Sequence, residues 1–188
     1  MKKDLRKELL NKRKSLSKLN VLKKSSQIEK RLFKMDEYKE SQEILYYISY
    51  DNEVFTHDMI KNSILEEKNI VVPLSDKKNK TLILSKLDKW EDLEIGSYNI
   101  LEPKKECIKR TSIDKIDLII VPGVGFDKKG NRIGHGKGFI DKLLKDSNYA
   151  IHIGLAFELQ IVDRIPTEKH DISVSKIITE KRIINCSE

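Results

Sequence analysis

Residues 43–74 place the strongest constraint on the fold: an apolar run, EILYYIS (43–49), an amphipathic stretch, HDMIKNSILEEK (57–68), and a second apolar run, NIVVPL (69–74). Short apolar runs read as buried strands and the stretch between them has helical periodicity, so the segment is a β-α-β unit and predicts a parallel sheet. The rhythm continues with strands expected at TLILSK (81–86), DLIIVP (117–122), YAIHIGLAF (149–157) and, as the last one, VSKIITE (174–180), and with a helix at GFIDKLLKD (138–146). Two helices come first. One spans 2–19, where Leu5, Leu9, Leu16 and Leu19 recur at helical spacings, and the second covers about 21–34. The expected fold is α/β: a single layered domain over residues 1–188 with a mostly parallel central sheet flanked by helices, and 188 residues suit one domain with a substantial core. Residues 88–114 interrupt the pattern, and an irregular part of that length is expected to be mobile or to cover a site.

Charge narrows the function. The net charge is +7, but residues 1–34 hold 13 Lys or Arg against Asp4, Glu8 and Glu29, so the rest of the chain is net acidic. Such a segment suits a solvated helical face, a nucleic acid or a polyanionic small molecule. Lys2 and Arg6 are four residues apart and Arg13 lies seven further on, so the three share roughly one side of the first helix. With only 6% aromatic residues to stack on bases and no net positive charge beyond the N-terminal part, no nucleic-acid partner is expected. No apolar stretch approaches the ~20 residues that cross a bilayer, so the expectation is a soluble, cytoplasmic protein with no membrane partner. Cys107 and Cys186 are far apart and fit no metal-ligand spacing, and are read as reduced thiols.

Six of the eight glycines lie within residues 123–138, after the apolar run ending at Pro122 and before the helix at 138–146. Ligands of open α/β sheets bind beyond the carboxyl ends of the strands, where this loop falls. Glycines at 134, 136 and 138 allow positive φ and close approach, so that successive N–H groups can face phosphate oxygens, with the N-terminal end of the following helix behind them. Arg132 and Lys137 add charge, and Asp141, one turn into that helix, could hold Mg²⁺ directly or through water. The loop is not a Walker A sequence, since Lys137 is followed by Gly138 and has no glycine six residues before it, and no G-x-G-x-x-G threads through it. The residues by themselves describe an anion-binding loop suited to a nucleotide.

VPGVGFDKKGNRIGHGKGFID (121–141) closely resembles the signature of the 5-formyltetrahydrofolate cyclo-ligase (methenyltetrahydrofolate synthetase) family, P-G-x-x-F-D-x-x-G-x-R-[LI]-G-x-G-x-G-[YF]-[YI]-D. KKDLRKELLNKRKSLS (2–17), YISYDNEV (47–54), SYNILEP (97–103) and the segment from Gly154 to Glu180 extend the resemblance over nearly the whole chain. The family often has Arg at the position of His135 and tyrosines at those of Phe139 and Ile140. The resemblance implies MgATP-dependent closure of 5-formyltetrahydrofolate (folinate) to 5,10-methenyltetrahydrofolate, with ATP as co-substrate and Mg²⁺ as cofactor. It implies ATP contacts from Lys2, Lys3, Arg6, Arg132, Ile133, Gly134, His135, Gly136, Lys137, Gly138, Phe139 and Ile140, with Arg6, Arg132 and Lys137 acting on the transferred phosphoryl group. It places Mg²⁺ at Asp141 and Asp171, and folate at Ile48, Glu53 and Tyr98 together with Gly136, Lys137, Gly138 and Phe139. A monomer with small-molecule partners is expected. The alternatives are an ATP-dependent enzyme of the same fold acting on another formyl or carboxyl substrate, or a basic nucleic-acid-binding module.

Overall fold

A computed structural model describes residues 2–76, 81–96, 99–136, 138–168 and 170–186. The first half contains the helices α1 (Lys2–Lys14), α2 (Lys18–Leu32), α3 (Asp36–Glu40) and α4 (His57–Leu65), with the strands β1 (Glu43–Leu45), β2 (Asn69–Asp76), β3 (Thr81–Leu87), β4 (Leu93–Ile95) and β5 (Leu101–Pro103). The second half adds β6 (Lys109–Arg110), β7 (Leu118–Val121), β8 (Gly125–Asp127), β9 (Arg132–Ile133), α5 (Phe139–Asp146), β10 (Ile151–Leu155), β11 (Ile161–Val162), β12 (Lys176–Ile178) and β13 (Ile183–Asn185). Eight strands form the main sheet in the order β13-β12-β10-β7-β1-β2-β3-β6. The run from β12 to β2 is parallel, and antiparallel strands close both edges. The expected α/β architecture with a mostly parallel sheet is what forms.

Side-chain alternation divides the core into two layers. Ile44, Tyr46, Ile70, Val72, Leu118, Ile120, Ile153 and Ile178 face α2, α3 and α4. Leu45, Val71, Ile119, Val121 and Ile177 face the other way, toward Leu144 of α5 and Phe126. A third, smaller cluster joins α1 to a three-stranded sheet of order β11-β8-β9, through Leu9, Val124, Ile133 and Ile165.

Three expectations change. The helix expected over 2–19 ends at Lys14 because the chain turns at 15–17, where Ser17 caps α2 by accepting from Asn20 N at 3.2 Å. Asn52 Nδ2 reinforces the break by donating to the carbonyls of Arg13, Lys14 and Leu16. Leu19, assigned to the apolar stripe of that helix, is 75% exposed. Residues 174–180 do not supply the last strand, since β13 returns antiparallel along β12. Part of the irregular 88–114 segment is a β4–β5 hairpin, and β6 joins the sheet edge.

Candidate functional site

The five parallel strands lie in the order β2-β1-β7-β10-β12, so the chain winds outward in one direction after β1 and in the other after β7. At such a reversal the connections leave the sheet on opposite sides and open a crevice at the carboxyl ends. A pocket of about 350 Å³ occupies that position. Its floor comes from Tyr47 and Ile48 after β1, Pro73 and Ser75 of β2, and Pro122 and Gly123 after β7.

One wall is the glycine loop. Gly136 (φ 93°) and Gly138 (φ 70°) take the left-handed conformation that the sequence pattern anticipates. Gly134 does not take positive φ, which corrects that part of the expectation; an added Cβ there would instead lie 3.0 Å from Arg132 Nη1. Gly138 is the N-cap of α5 with no side-chain cap bond, and a Cβ added to it would meet nothing within 4 Å. The first amides of α5 therefore open beside the loop without a capping side chain. Behind the loop, Asp127 accepts from the backbone N–H groups of Lys129, Asn131 and Ile165 and from Asn131 Nδ2, fixing the turn that leads into β9.

The second wall is α1. Arg6 Nε donates to Gly134 O at 2.8 Å, and Lys2 Nζ lies 2.7 Å from Asp171 Oδ2 and 3.8 Å from Glu168. Burial acts to raise the Asp171 pKa, but Lys2 and the Glu168 N–H outweigh it and hold the carboxyl below its ordinary value. Arg132 is only 5% exposed and donates from Nη2 to Asp141 Oδ1 at 2.6 Å. Desolvation lowers the Arg132 pKa against the opposing pull of Asp141, and a guanidinium remains a cation regardless. Its buried Nε has no partner among the described residues. Lys2, Arg6 and Arg132 thus surround a space into which Asp141 and Asp171 also project, a combination that suits a polyphosphate with a hard cation. No three His, Cys, Asp or Glu side chains gather as a self-sufficient metal centre among the described residues. Two pocket carboxylates nonetheless fit Mg²⁺, which commonly takes one or two protein carboxylates and completes its shell with phosphate oxygens and water.

At the other end stands Glu53, 5% exposed, on a turn that begins at Tyr50 and contains Asp51 at φ 52°. Its Oε2 accepts from Tyr50 N at 3.2 Å, and its Oε1 lies 3.3 Å from His135 Nε2. His135 Nε2 is also 3.4 Å from the Tyr50 hydroxyl. The glycine loop and the Glu53 turn are therefore in direct contact.

The structure brings together on the pocket wall Lys2, Arg6, Ile48, Glu53, Arg132, Gly134, His135, Gly136, Gly138, Phe139, Ile140, Asp141 and Asp171. Lys3 is exposed and off the wall, because it lies one position round the helix from Lys2. Ile133 packs its side chain into the core against Leu9 and Val124, which leaves only its backbone near the loop. Lys137 and Tyr98 lie outside the described residues. Of the 88–114 segment, expected to be mobile or to cover a site, Ile100, Leu101 and Glu102 line the pocket. Tyr50, Glu168 and His170 also line it without having been singled out. Tyr50 lies within the recognised Glu53 segment, and Glu168 and His170 lie beside Asp171 in the recognised C-terminal segment, but no periodicity or spacing of their own singles them out.

Residues 1–180 match the profile of the 5-formyltetrahydrofolate cyclo-ligase family. A mouse protein named 5-formyltetrahydrofolate cyclo-ligase is 30% identical, over 95% of this chain and 93% of that one. A Haemophilus influenzae protein of the same name is 29% identical, over 93% and 95%. The NMR structure of Aquifex aeolicus 5,10-methenyltetrahydrofolate synthetase superposes with a TM-score of 0.88 at 30% identity, covering 100% of this chain and 93% of that one. A 5,10-methenyltetrahydrofolate synthetase from Mycoplasma pneumoniae, 23% identical with a TM-score of 0.76, shares the fold over 95% of this chain and 98% of its own.

Proposed function

This chain belongs to the 5-formyltetrahydrofolate cyclo-ligase family, and from that premise we propose that it closes 5-formyltetrahydrofolate to 5,10-methenyltetrahydrofolate in the pocket between β1 and β7, consuming ATP and releasing ADP and phosphate. The chemical problem is the leaving group. An N5-formyl oxygen is amide-like, and N10 cannot expel it as oxide at neutral pH. Attack of that oxygen on the γ-phosphorus forms an O–P bond and breaks the bond to ADP. N10 then adds to the activated carbon, the C–O bond breaks with departure of phosphate, and N10 gives up its proton. Such a sequence calls for positioned substrates and a charge clamp more than for a nucleophilic side chain.

The observation that carries this reading is the Arg6 Nε to Gly134 O hydrogen bond. It sets the cationic face of α1 over the glycine loop, inside a cavity that also holds Glu53. In this reading Gly136, Gly138 and the start of α5 bind the phosphate chain through main-chain N–H groups. Lys2, Arg6 and Arg132 neutralise charge on the transferred group, and Lys137 belongs with them by its place between the two glycines. Asp141 and Asp171 would hold Mg²⁺, which supplies a Lewis acid for the phosphoryl oxygens. Glu53 presents two acceptor oxygens to the pterin N–H donors, with Ile48 and Phe139 against the ring. In this reading the active unit is a monomer.

The test is incubation of the protein with ATP, Mg²⁺ and folinate, omitting each in turn and recording methenyl absorbance and free phosphate. The complete mixture is expected to give both in equal amounts, and each omission to abolish both. Methenyl formation without ATP, or none in the complete mixture, would contradict the proposal.

A further inference from the structure

Arg13 lies on the same side of α1 as Lys2 and Arg6, and the chemistry above gives it no task. It is 1% exposed, and none of its three guanidinium nitrogens has a hydrogen-bond partner among the described residues. Glu53 stands beside it, with Nη1 and Oε1 3.9 Å apart. Burying a guanidinium without hydrogen bonds is costly, and an apolar side chain of similar size would fill the same space more cheaply. Packing alone therefore does not account for an arginine here. The backbone is arranged to keep the pair together, because Asn52, the residue before Glu53, donates to the carbonyls of Arg13, Lys14 and Leu16. Around Glu53 stand Arg13 from α1, His135 from the glycine loop, and Tyr47 and Tyr50 from the segment after β1. Among these, Arg13 is the permanent cation, and it lies outside the pocket lining while Glu53 lies within it.

We propose that Arg13 is a positioning residue for substrate recognition: from behind the pocket wall it balances the Glu53 charge and fixes the carboxylate so that both oxygens accept from a ring carrying two adjacent N–H donors. This rests on the reading of Glu53 as the pterin acceptor. It assigns a specificity function to the last turn of α1, so that one face of one helix serves the phosphates at its start and the pterin at its end. A ring lacking one donor would leave a desolvated Glu53 oxygen unpaired, which is how a polar site rejects a near-isostere.

The experiment measures equilibrium binding of folinate and of ATP, separately, to Arg13→Met, Arg13→Lys and Glu53→Gln, with thermal melting of each. Arg13→Met is expected to weaken folinate by about 30-fold or more, as loss of one partner of a buried charge pair does, with ATP binding within about threefold of the parent. Arg13→Lys, which restores the charge, is expected to recover folinate to within about fivefold. Folinate binding unchanged in a folded Arg13→Met protein overturns the inference, as does parallel loss of ATP and folinate. If Arg13→Met does not fold, Arg13→Lys decides: folded with folinate retained supports the inference, folded with folinate weakened about 30-fold overturns it. Glu53→Gln separates the two claims. Undiminished folinate binding there would remove Glu53 as the acceptor, whereas loss there together with full binding in Arg13→Met would refute the role of Arg13 alone.

Discussion

Asp141 meets two demands with one carboxylate. Its Oδ1 accepts from the buried Arg132, and it faces the space assigned to the phosphates. An amide at this position can still accept the Arg132 hydrogen bond but carries no charge to share with Mg²⁺. Asp141→Asn is therefore expected to melt within a few degrees of the parent, a shift that corresponds to about 1 kcal/mol, while turnover falls by about 100-fold or more. Initial rates and a melting curve on the same sample check this, and a fully active variant would remove Asp141 from the phosphate side of the site. At this scale the sequence was a good guide wherever a residue type had one chemical use and a weaker one where it had several. The glycines show the difference. Gly136 and Gly138 adopt the anticipated positive φ, whereas Gly123 and Gly154 make room for the ring of Phe126, which a Cβ at either would approach within 2.5–2.7 Å. Spacing cannot separate a glycine that bends the chain from one that leaves space, because the partner that needs the space is remote in sequence.

Whether α1 can supply Lys2 and Arg6 depends on how it docks. Leu9, fully buried, packs against Val124, Ile133 and Ile165, with Leu5 and Leu10 beside it. The approach is close because Gly125 of β8 has no side chain, and a Cβ there would lie 2.3 Å from Leu9 Cδ1. Gly125→Ala is expected to destabilise by about 1–3 kcal/mol through overpacking, and Leu9→Ala by about 2–5 kcal/mol through the cavity it leaves. The double variant is expected to lose at least about 1 kcal/mol less than the sum, since each change relieves the other. Chemical denaturation of the four proteins measures the cycle, and strict additivity would show that Leu9 and Gly125 do not share this space. The helical spacing of Leu5 and Leu9 revealed the buried face of α1, but nothing local revealed its partner, because β8, β9 and β11 are two or three residues long and their pairing is set by contacts far apart in the chain. The early end of α1 was missed for a related reason: Ser15 and Ser17 are tolerated within helices, and Asn52, which holds the last carbonyls, comes from the turn after β1.

For the whole molecule, the β-α-β rhythm was enough to predict a parallel sheet, and the reversal of the winding between β1 and β7 explains why residues from well-separated segments meet at one crevice. Strand order itself was not legible, since every apolar run is compatible with several neighbours until the turns and helices have packed. The site was legible in its two clusters, the basic stripe and the glycine loop, and the resemblance joined them to Glu53. The physical link is tertiary: Arg6 on Gly134 at one end and His135 on Glu53 at the other. On the proposed reading a single pocket brings the formyl oxygen to the γ-phosphorus, and the fate of that oxygen is the decisive quantity. With folinate carrying ¹⁸O in its formyl group and unlabelled ATP and water, single-turnover product analysis by mass spectrometry is predicted to find the label in the inorganic phosphate. Label released into water, with phosphate unlabelled, would contradict phosphoryl transfer to the formyl oxygen and the account built on it.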